Sequence, residues 1–439
     1  MENSEVAISS GASSRITYQW LPVLLALLAV SLYARFLFQN AVNVPYHDDI
    51  LDVLKVIIDV SGSANLGSVV DAFFTQHNDH RTLASRLIYY VSYQIQGKID
   101  FRNLTFVANL ALPILALLFF TQIKNTQNRW LIFLPVVFML FQLRTYGITE
   151  WAMAAFAFLY VYVYGIAALF CLHTPTKWRL FAAVVFAFMS TYSIASGQVV
   201  WLIGLLCLLH QSYVLKRISY VYSLCWAAIA ALVLVVYRTG LETPNTLLAL
   251  IKFALATPLK HAQYFLGMLG NAVSFEALYV AQFVGALLLS ILLWQTIIRY
   301  RDGYSRIEYV CWFVVFSAAT VALGRTPYSE VQYSQTSRYS VASILLVVCV
   351  WLMITHRYRI RRAYLLIAGV ATASACAASY WFYTPKFDVL MEERVTEFNR
   401  GNYHVYGQPP ARTNALVADA ITKGIYHPPS RPLAVPATE

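Results

Sequence analysis

The chain has 439 residues, 59% of them hydrophobic and only 12% charged, with a formal net charge of +11. A soluble domain carries about 25% charged residues, so this composition excludes a water-soluble globular enzyme and calls for lipid as the main solvent. The positive balance reads as the basic cytoplasmic loops of a polytopic membrane protein rather than as a nucleic-acid footprint, because no basic stripe lies outside those loops.

Crossing a bilayer takes about 20 mostly apolar residues. About eleven runs come near that length: residues 18–38, 103–122, 130–143, 151–171, 179–194, 198–213, 219–237, 277–298, 307–323, 339–355 and 363–383. The pattern predicts an all-α transmembrane bundle over residues 1–383 and a short extracytoplasmic tail over 384–439. The third, fifth and sixth runs are short and are expected to be tilted, broken or partly spanning. The first run, Trp20 to Phe38, has no small-residue cleavage site after a short core, so it reads as a permanent anchor.

Charge sets the expected orientation. With the N-terminus in the cytoplasm, the inside loops hold Lys124 and Arg129, Lys177 and Arg179, Lys216 and Arg217, then Arg299, Arg301 and Arg306, and last Arg357, Arg359, Arg361 and Arg362. Every inside loop is then basic. Among the acids only Glu2, Glu5, Asp302 and Glu308 fall inside. This predicts a multi-pass inner-membrane protein with a cytoplasmic N-terminus and an extracytoplasmic C-terminus.

Three outside segments are long. Residues 39–102 carry two weakly amphipathic stretches, Asp49–Val60 and Leu83–Ile95, and residues 238–276 read as half helical. The tail has two helix-like stretches, Lys386–Asn399 and Thr413–Lys423, before a Pro-rich end. The six cysteines (Cys171, Cys207, Cys225, Cys311, Cys349, Cys376) lie in apolar runs without a CxxC pair, which argues against a disulfide framework or a metal site built on them.

The segments that could carry chemistry all fall outside. Pro45-Tyr46-His47-Asp48-Asp49 follows the first span. Paired carboxylates at a membrane interface are costly to desolvate, so one has a perturbed pKa or both share a cation. Either suits a general base that takes a proton from an acceptor hydroxyl. The competing reading is a solvated turn that caps a helix starting near Ile50. Gln76-His77-Asn78-Asp79-His80-Arg81 comes next, followed by Arg86. Two histidines at i and i+3 share a helix face and, with Asp79, are a candidate pair for a divalent metal ion, although the spacing fixes no third ligand. Arg81 and Arg86 suit a phosphate. The third segment is Gly324-Arg325-Thr326-Pro327 with Ser337-Arg338-Tyr339. Its two arginines run against the positive-inside trend; they either clasp a lipid phosphate or snorkel to headgroups. Lesser candidates are Arg144, Tyr146 and Glu150; Ser193, Ser196, Gly197 and Gln198; and Lys260 with His261. No P-loop, GxGxxG after a strand or nucleophile elbow is present.

An acidic pair directly after the first span, as in Asp48 and Asp49, resembles the GT-C superfamily of integral-membrane glycosyltransferases. Asn78-Asp79-His80-Arg81, Gly324-Arg325 and Ser337-Arg338-Tyr339 are similar to segments of bacterial surface-glycan and type IV pilin glycosyltransferases, including those that transfer arabinofuranose. The span pattern matches throughout and the specific motifs cover three short patches; the large C-terminal soluble domain of that group is lacking. The resemblance implies a polyprenyl-phosphate-linked sugar donor and a pilin, other surface protein or glycan as acceptor. It further implies Asp48 or Asp49 as base, Arg325 and Arg338, with Arg81 or Lys260, on the donor phosphate, and His47, His77, Asn78, Asp79, His80, Glu150 and Tyr339 around the substrate. The alternatives are a transporter or flippase, which would carry ionisable residues deep in its spans and repeat symmetry, and a non-catalytic scaffold.

Overall fold

The computed structural model describes residues 12–124, 128–243 and 245–434, with side chains from residue 20 onward. Among the described residues the regular elements are all helical, and ten segments are long and apolar enough to cross a membrane. The chain is an all-α, multi-pass membrane protein. Glu2 and Glu5 lie outside the described residues.

The first span is α1 (Ala12–Asn40). A π-helical turn, Ile50–Leu54, runs into α2 (Lys55–Ser61), and α3 (Leu66–Phe74) and α4 (Leu83–Gln96) complete the first long loop. The next spans are α5 (Phe101–Asn109) with α6 (Ala111–Phe120), α7 (Arg129–Leu140) with the short α8 (Tyr146–Thr149), and α9 (Ala152–Leu172). Then come α10 (Lys177–Thr191), α11 (Val199–Leu209) and α12 (Val221–Arg238), with α13 (Leu247–Ala256) and α14 (Pro258–Gly270) in the second long loop. The last elements are α15 (Leu278–Arg299), α16 (Arg306–Arg325), α17 (Ser340–Arg357), α18 (Arg362–Asn399) and α19 (Pro410–Thr422). The spans Arg129–Thr149 and Ala152–Leu172 form the centre, 83% and 78% buried, whereas Val221–Arg238 is only 17% buried and turns its Leu and Val side chains outward.

Of the three runs expected to be short, the third and sixth extend to full span length, as Arg129–Thr149 and Ala195–Val214, whereas the run at 179–194 is short, as expected. It forms α10, which has 15 residues and is about 22 Å long, short of a hydrocarbon core of about 30 Å. The chain turns back early because Gly197 presses on the Ser190 carbonyl; a Cβ there would lie 1.9 Å from that oxygen. The resulting polar break is held inside the bundle by Ser190 Oγ donating to Val161 O (3.0 Å) and Trp201 Nε1 to Thr191 Oγ1 (2.8 Å).

The end of the chain departs from expectation. Lys386–Asn399 is not a separate helix: α18 runs unbroken for 38 residues with Pro385 inside it, about 57 Å. A boundary at residue 383 therefore falls within one helix. Beyond α18 the chain packs back on the first loop. Ile99 N donates to Ile425 O (2.7 Å), Tyr426 Oη to Asn43 O (2.8 Å) and Asn43 Nδ2 to His427 O (3.0 Å).

The first loop has its own buried clamp. Asp52, fully buried, accepts from Thr82 Oγ1 (2.7 Å) and from Arg86 Nε and Nη2 (2.9 and 2.7 Å). Burial pushes the Asp52 carboxyl up, but the Arg86 guanidinium outweighs it and holds the group below its usual range. Arg86 also donates to the carbonyls of Ala72, Phe73 and Thr75, closing the C-terminal end of α3. Arg86 is thus occupied by structure, not free for a phosphate.

Candidate functional site

At one end of the bundle the helix ends and long loops enclose a cavity of about 1260 Å³. Asp48 reaches it from the turn after α1, Asp79 and His80 from the loop before α4, Arg325 from the end of α16 and Arg338 from the turn before α17. The acidic cluster and the two late arginines, nearly 300 residues apart in sequence, thus line one chamber. No side-chain hydrogen bond or ion pair engages the Arg325 guanidinium among the described residues, and the Nε of Arg338 is buried without a partner. Both present positive charge to the cavity.

A smaller, mostly apolar groove of about 220 Å³ adjoins the chamber. Ile194, Leu247, Leu250, Val321 and Leu323 line it, together with Ser196 and Gln198 of the polar break. The groove shares Asp79, His80 and Arg325 with the chamber. Arg325 therefore stands where an apolar slot between α13 and α16 meets a polar space. Tyr339 belongs to the groove, its ring 5.3 Å under the Arg338 guanidinium.

The two adjacent aspartates face different surroundings. Asp48 lines the chamber, with its side chain 24% exposed. Asp49 is fully buried, and its two oxygens accept from Met153 N (2.9 Å) and Tyr46 N (3.0 Å). It caps the N-terminus of α9 from another part of the chain, where a carboxylate is favoured by the exposed N–H groups, and not the helix starting at Ile50. Burial raises its pKa to about 7, against the pull of Arg394. Behind it sits Arg394, itself buried, which donates to Glu150 O (2.6 Å) and Val44 O and lies over the Tyr46 ring. Glu150 is buried in the same cluster; neither of its oxygens has a partner, and burial raises its pKa to about 8. Glu150 lines neither cavity, so its expected contact with substrate is not made here.

The histidine segment is not a helix. His77 N donates to His80 O (2.8 Å) and His80 N to His77 O (3.1 Å), closing a tight turn in which Asn78 takes a φ of +48°. The i, i+3 argument for a shared helix face does not apply. His77 instead points its Nε2 to within 3.7 Å of Asp48 Oδ2. Among the described residues no group of three or more His, Cys, Asp or Glu side chains converges as a metal ion would need. Burial lowers the pKa of His80 to about 4, so it lines the chamber as a neutral imidazole. Asn78 and His47 also line the chamber, and His47 packs against Trp151 and His404.

Two of the expected phosphate ligands stand elsewhere. Arg81 spends its guanidinium on the carbonyls of Phe74, Tyr237 (3.2 Å) and Thr239 (2.7 Å), tying the first loop to the end of α12. Lys260 lies 3.9 Å from Glu330 at the surface, outside both cavities. Three site residues carry no signal in the sequence. Arg394 sits in a run of charges, Glu392-Glu393-Arg394, that reads as a solvated tail; Glu276 stands alone before an apolar run; His404 has no pattern around it. All three are brought in by contacts between distant parts of the chain.

Fold and cavity together define a multi-pass membrane protein with a charged chamber at one end of its bundle. Comparison of the chain with protein-family models, with curated proteins and with solved structures returned no match.

Proposed function

We propose that the chain is a glycosyltransferase that moves a sugar from a polyprenyl-phosphate donor to a surface acceptor on the outer side of a bacterial inner membrane. The observation that carries this reading is Arg325 at the junction of the apolar groove and the polar chamber. A lipid-linked sugar phosphate has the matching pattern, a greasy chain, one phosphate and a polyhydroxyl head. The isoprenoid end lies in the groove, the phosphate meets Arg325 and Arg338, and the sugar enters the chamber. The basic loops at the opposite ends of the spans support a cytoplasmic N-terminus, which puts the chamber and the C-terminus in the periplasm.

In the reaction the acceptor hydroxyl gives its proton to Asp48 as its oxygen attacks the anomeric carbon. The bond from that carbon to the phosphate oxygen breaks, and the lipid phosphate leaves with both electrons. Arg325 and Arg338 stabilise the charge that develops there. Direct displacement inverts the anomeric centre. The acceptor is a pilin, another surface protein or a glycan.

The test uses purified protein in liposomes with undecaprenyl-phosphate-linked sugars and candidate acceptors. Transfer is expected, and Arg325→Gln is expected to lose on the order of 10²-fold or more. If the lipid-linked sugar crosses the bilayer uncleaved, with no transfer, the protein is a flippase and the proposal fails.

A further inference from the structure

Besides Asp48, the chamber is lined by the carboxylates of Asp79, Glu242 and Glu276, which neither the base nor the phosphate site uses, and Glu276 stands apart among them. Glu276 lines the chamber from the turn before α15. Its backbone is unusual. Phe275 and Glu276 have φ values of +48° and +67°, two successive left-handed residues, neither a glycine. Such backbone persists only where the surroundings over-determine it, and it concentrates at functional sites. Here Phe275 is held by aromatic packing on Phe382 and Tyr383.

The surroundings of Glu276 set cations beside it and leave part of its acceptor capacity unused. Lys386, on the extended part of α18, donates to Oε2. Arg144 lies behind, fully buried, fixed by donations to Asn271 O (3.1 Å) and Gln335 O (2.5 Å) and stacked 5.0 Å from the Tyr383 ring. Its remaining Nη1 has no hydrogen-bond partner and faces Glu276 Oε1 at 3.9 Å, too far for a bond. A carboxylate can accept about four hydrogen bonds, and Glu276 takes one from the protein, so acceptor capacity is left on a side chain that faces the cavity.

The same wall carries a phosphate arginine. Gly147, at the foot of α8, packs so tightly on Ser337 that a Cβ would lie 2.2 Å from its Oγ, and Arg338 is the next residue. Glu276, Tyr146 and Trp151 line the same chamber as Arg338, the space that the sugar of a phosphate resting on Arg338 enters.

We propose that Glu276 is the sugar-reading residue, accepting hydrogen bonds from neighbouring hydroxyls of the transferred sugar, so that the donor class is a sugar with free vicinal hydroxyls. This rests on the glycosyltransferase reading above.

The experiment measures transfer by the full-length protein from undecaprenyl-phosphate-linked arabinose, glucose and mannose, each beside its 2-deoxy and 3-deoxy counterparts. For the parent sugar that is used, loss of a contacted hydroxyl is expected to cost the wild type about 10²-fold or more in kcat/KM. In Glu276→Gln that discrimination is expected to fall to within a few-fold, mainly through a higher KM for the parent. Glu276→Gly separates recognition from folding. Glycine suits a φ of +67°, so this variant is expected to keep or raise the melting temperature while losing the discrimination. Undiminished discrimination in both variants, or a Glu276→Gly protein that melts well below wild type, would overturn the proposal. Absence of transfer by the wild type from every parent donor would instead bring down the underlying reading, and this inference with it.

Discussion

His77 Nε2 faces Asp48 Oδ2 at 3.7 Å from behind the chamber wall; Asp48 lines the chamber and His77, expected to touch substrate, does not. The pair exists because the His77–His80 turn folds the imidazole back toward the residues just after α1. Burial works against charge on His77, but Asp52 and Asp48 prevail and raise its pKa. A raised histidine stabilises the fold fully below its unfolded value, about 6.5, and loses that contribution as pH rises through the folded value. His77→Gln is therefore expected to melt with a smaller drop between pH 6 and 8.5 than wild type. Equal drops would show that the pair does not couple to folding.

Asp48 and Asp49 are expected to separate cleanly on substitution. Asp48→Asn removes the proposed base and should cut transfer by about 10²- to 10⁴-fold, with a melting temperature lowered only at acidic pH, where the His77 pairing is lost. Asp49→Asn leaves a capping N–H of α9 or of Tyr46 unmatched, at a cost of roughly 1–3 kcal/mol; its activity should fall only as far as the folded fraction does. Transfer rates and melting curves on the same preparations decide, and full activity in Asp48→Asn would remove it from the mechanism.

Glu150 gives a second pH dependence. In the folded chain it holds its proton up to about pH 8 because it is buried, whereas unfolded it releases it near 4.5. The folded state binds more protons across that window, so stability falls as pH climbs through it. Asp49 acts with the same sign between 3.8 and about 7. Glu150→Gln is expected to flatten the melting temperature above pH 6 and to exceed wild type at pH 8.5. A variant with the wild-type slope would place the titration elsewhere.

Arg394 compensates this acidic cluster and joins α18 to the first loop. Arg394→Met strands the carbonyls of Glu150 and Val44 and leaves Asp49 without its cation. The expected cost is about 3–5 kcal/mol, read as a fall in melting temperature that Glu150→Gln partly restores in the double variant above about pH 8, where Glu150 ionises. Additive losses in the double variant would argue that the two residues do not interact.

The spans are legible because lipid imposes a length and a composition on each one, and ten of about eleven runs are spans. The shortness of α10 is legible too, but its cause, Gly197 meeting Ser190, is a contact that hydropathy does not record. Asp48, Arg325 and Arg338 can be assigned to one membrane side from loop charge alone, but their common chamber depends on how the helix ends splay. The competition between Asp48 and Asp49 is undecidable from sequence, since adjacent carboxylates look alike until Met153 N picks one of them. Arg81 and Glu150 look available for the same reason: their backbone and buried partners are remote in the chain.

The partnership of Arg394 with Val44 spans 350 residues. At roughly 5–20 residues per second, a ribosome needs about 20 to 70 s to supply the second member after the first. Throughout that interval the first loop has its own clamp but not its closing wall. Quality control acting on the nascent protein thus meets an incomplete vestibule until Arg394 has been supplied, and a chain cut short before that residue cannot complete it.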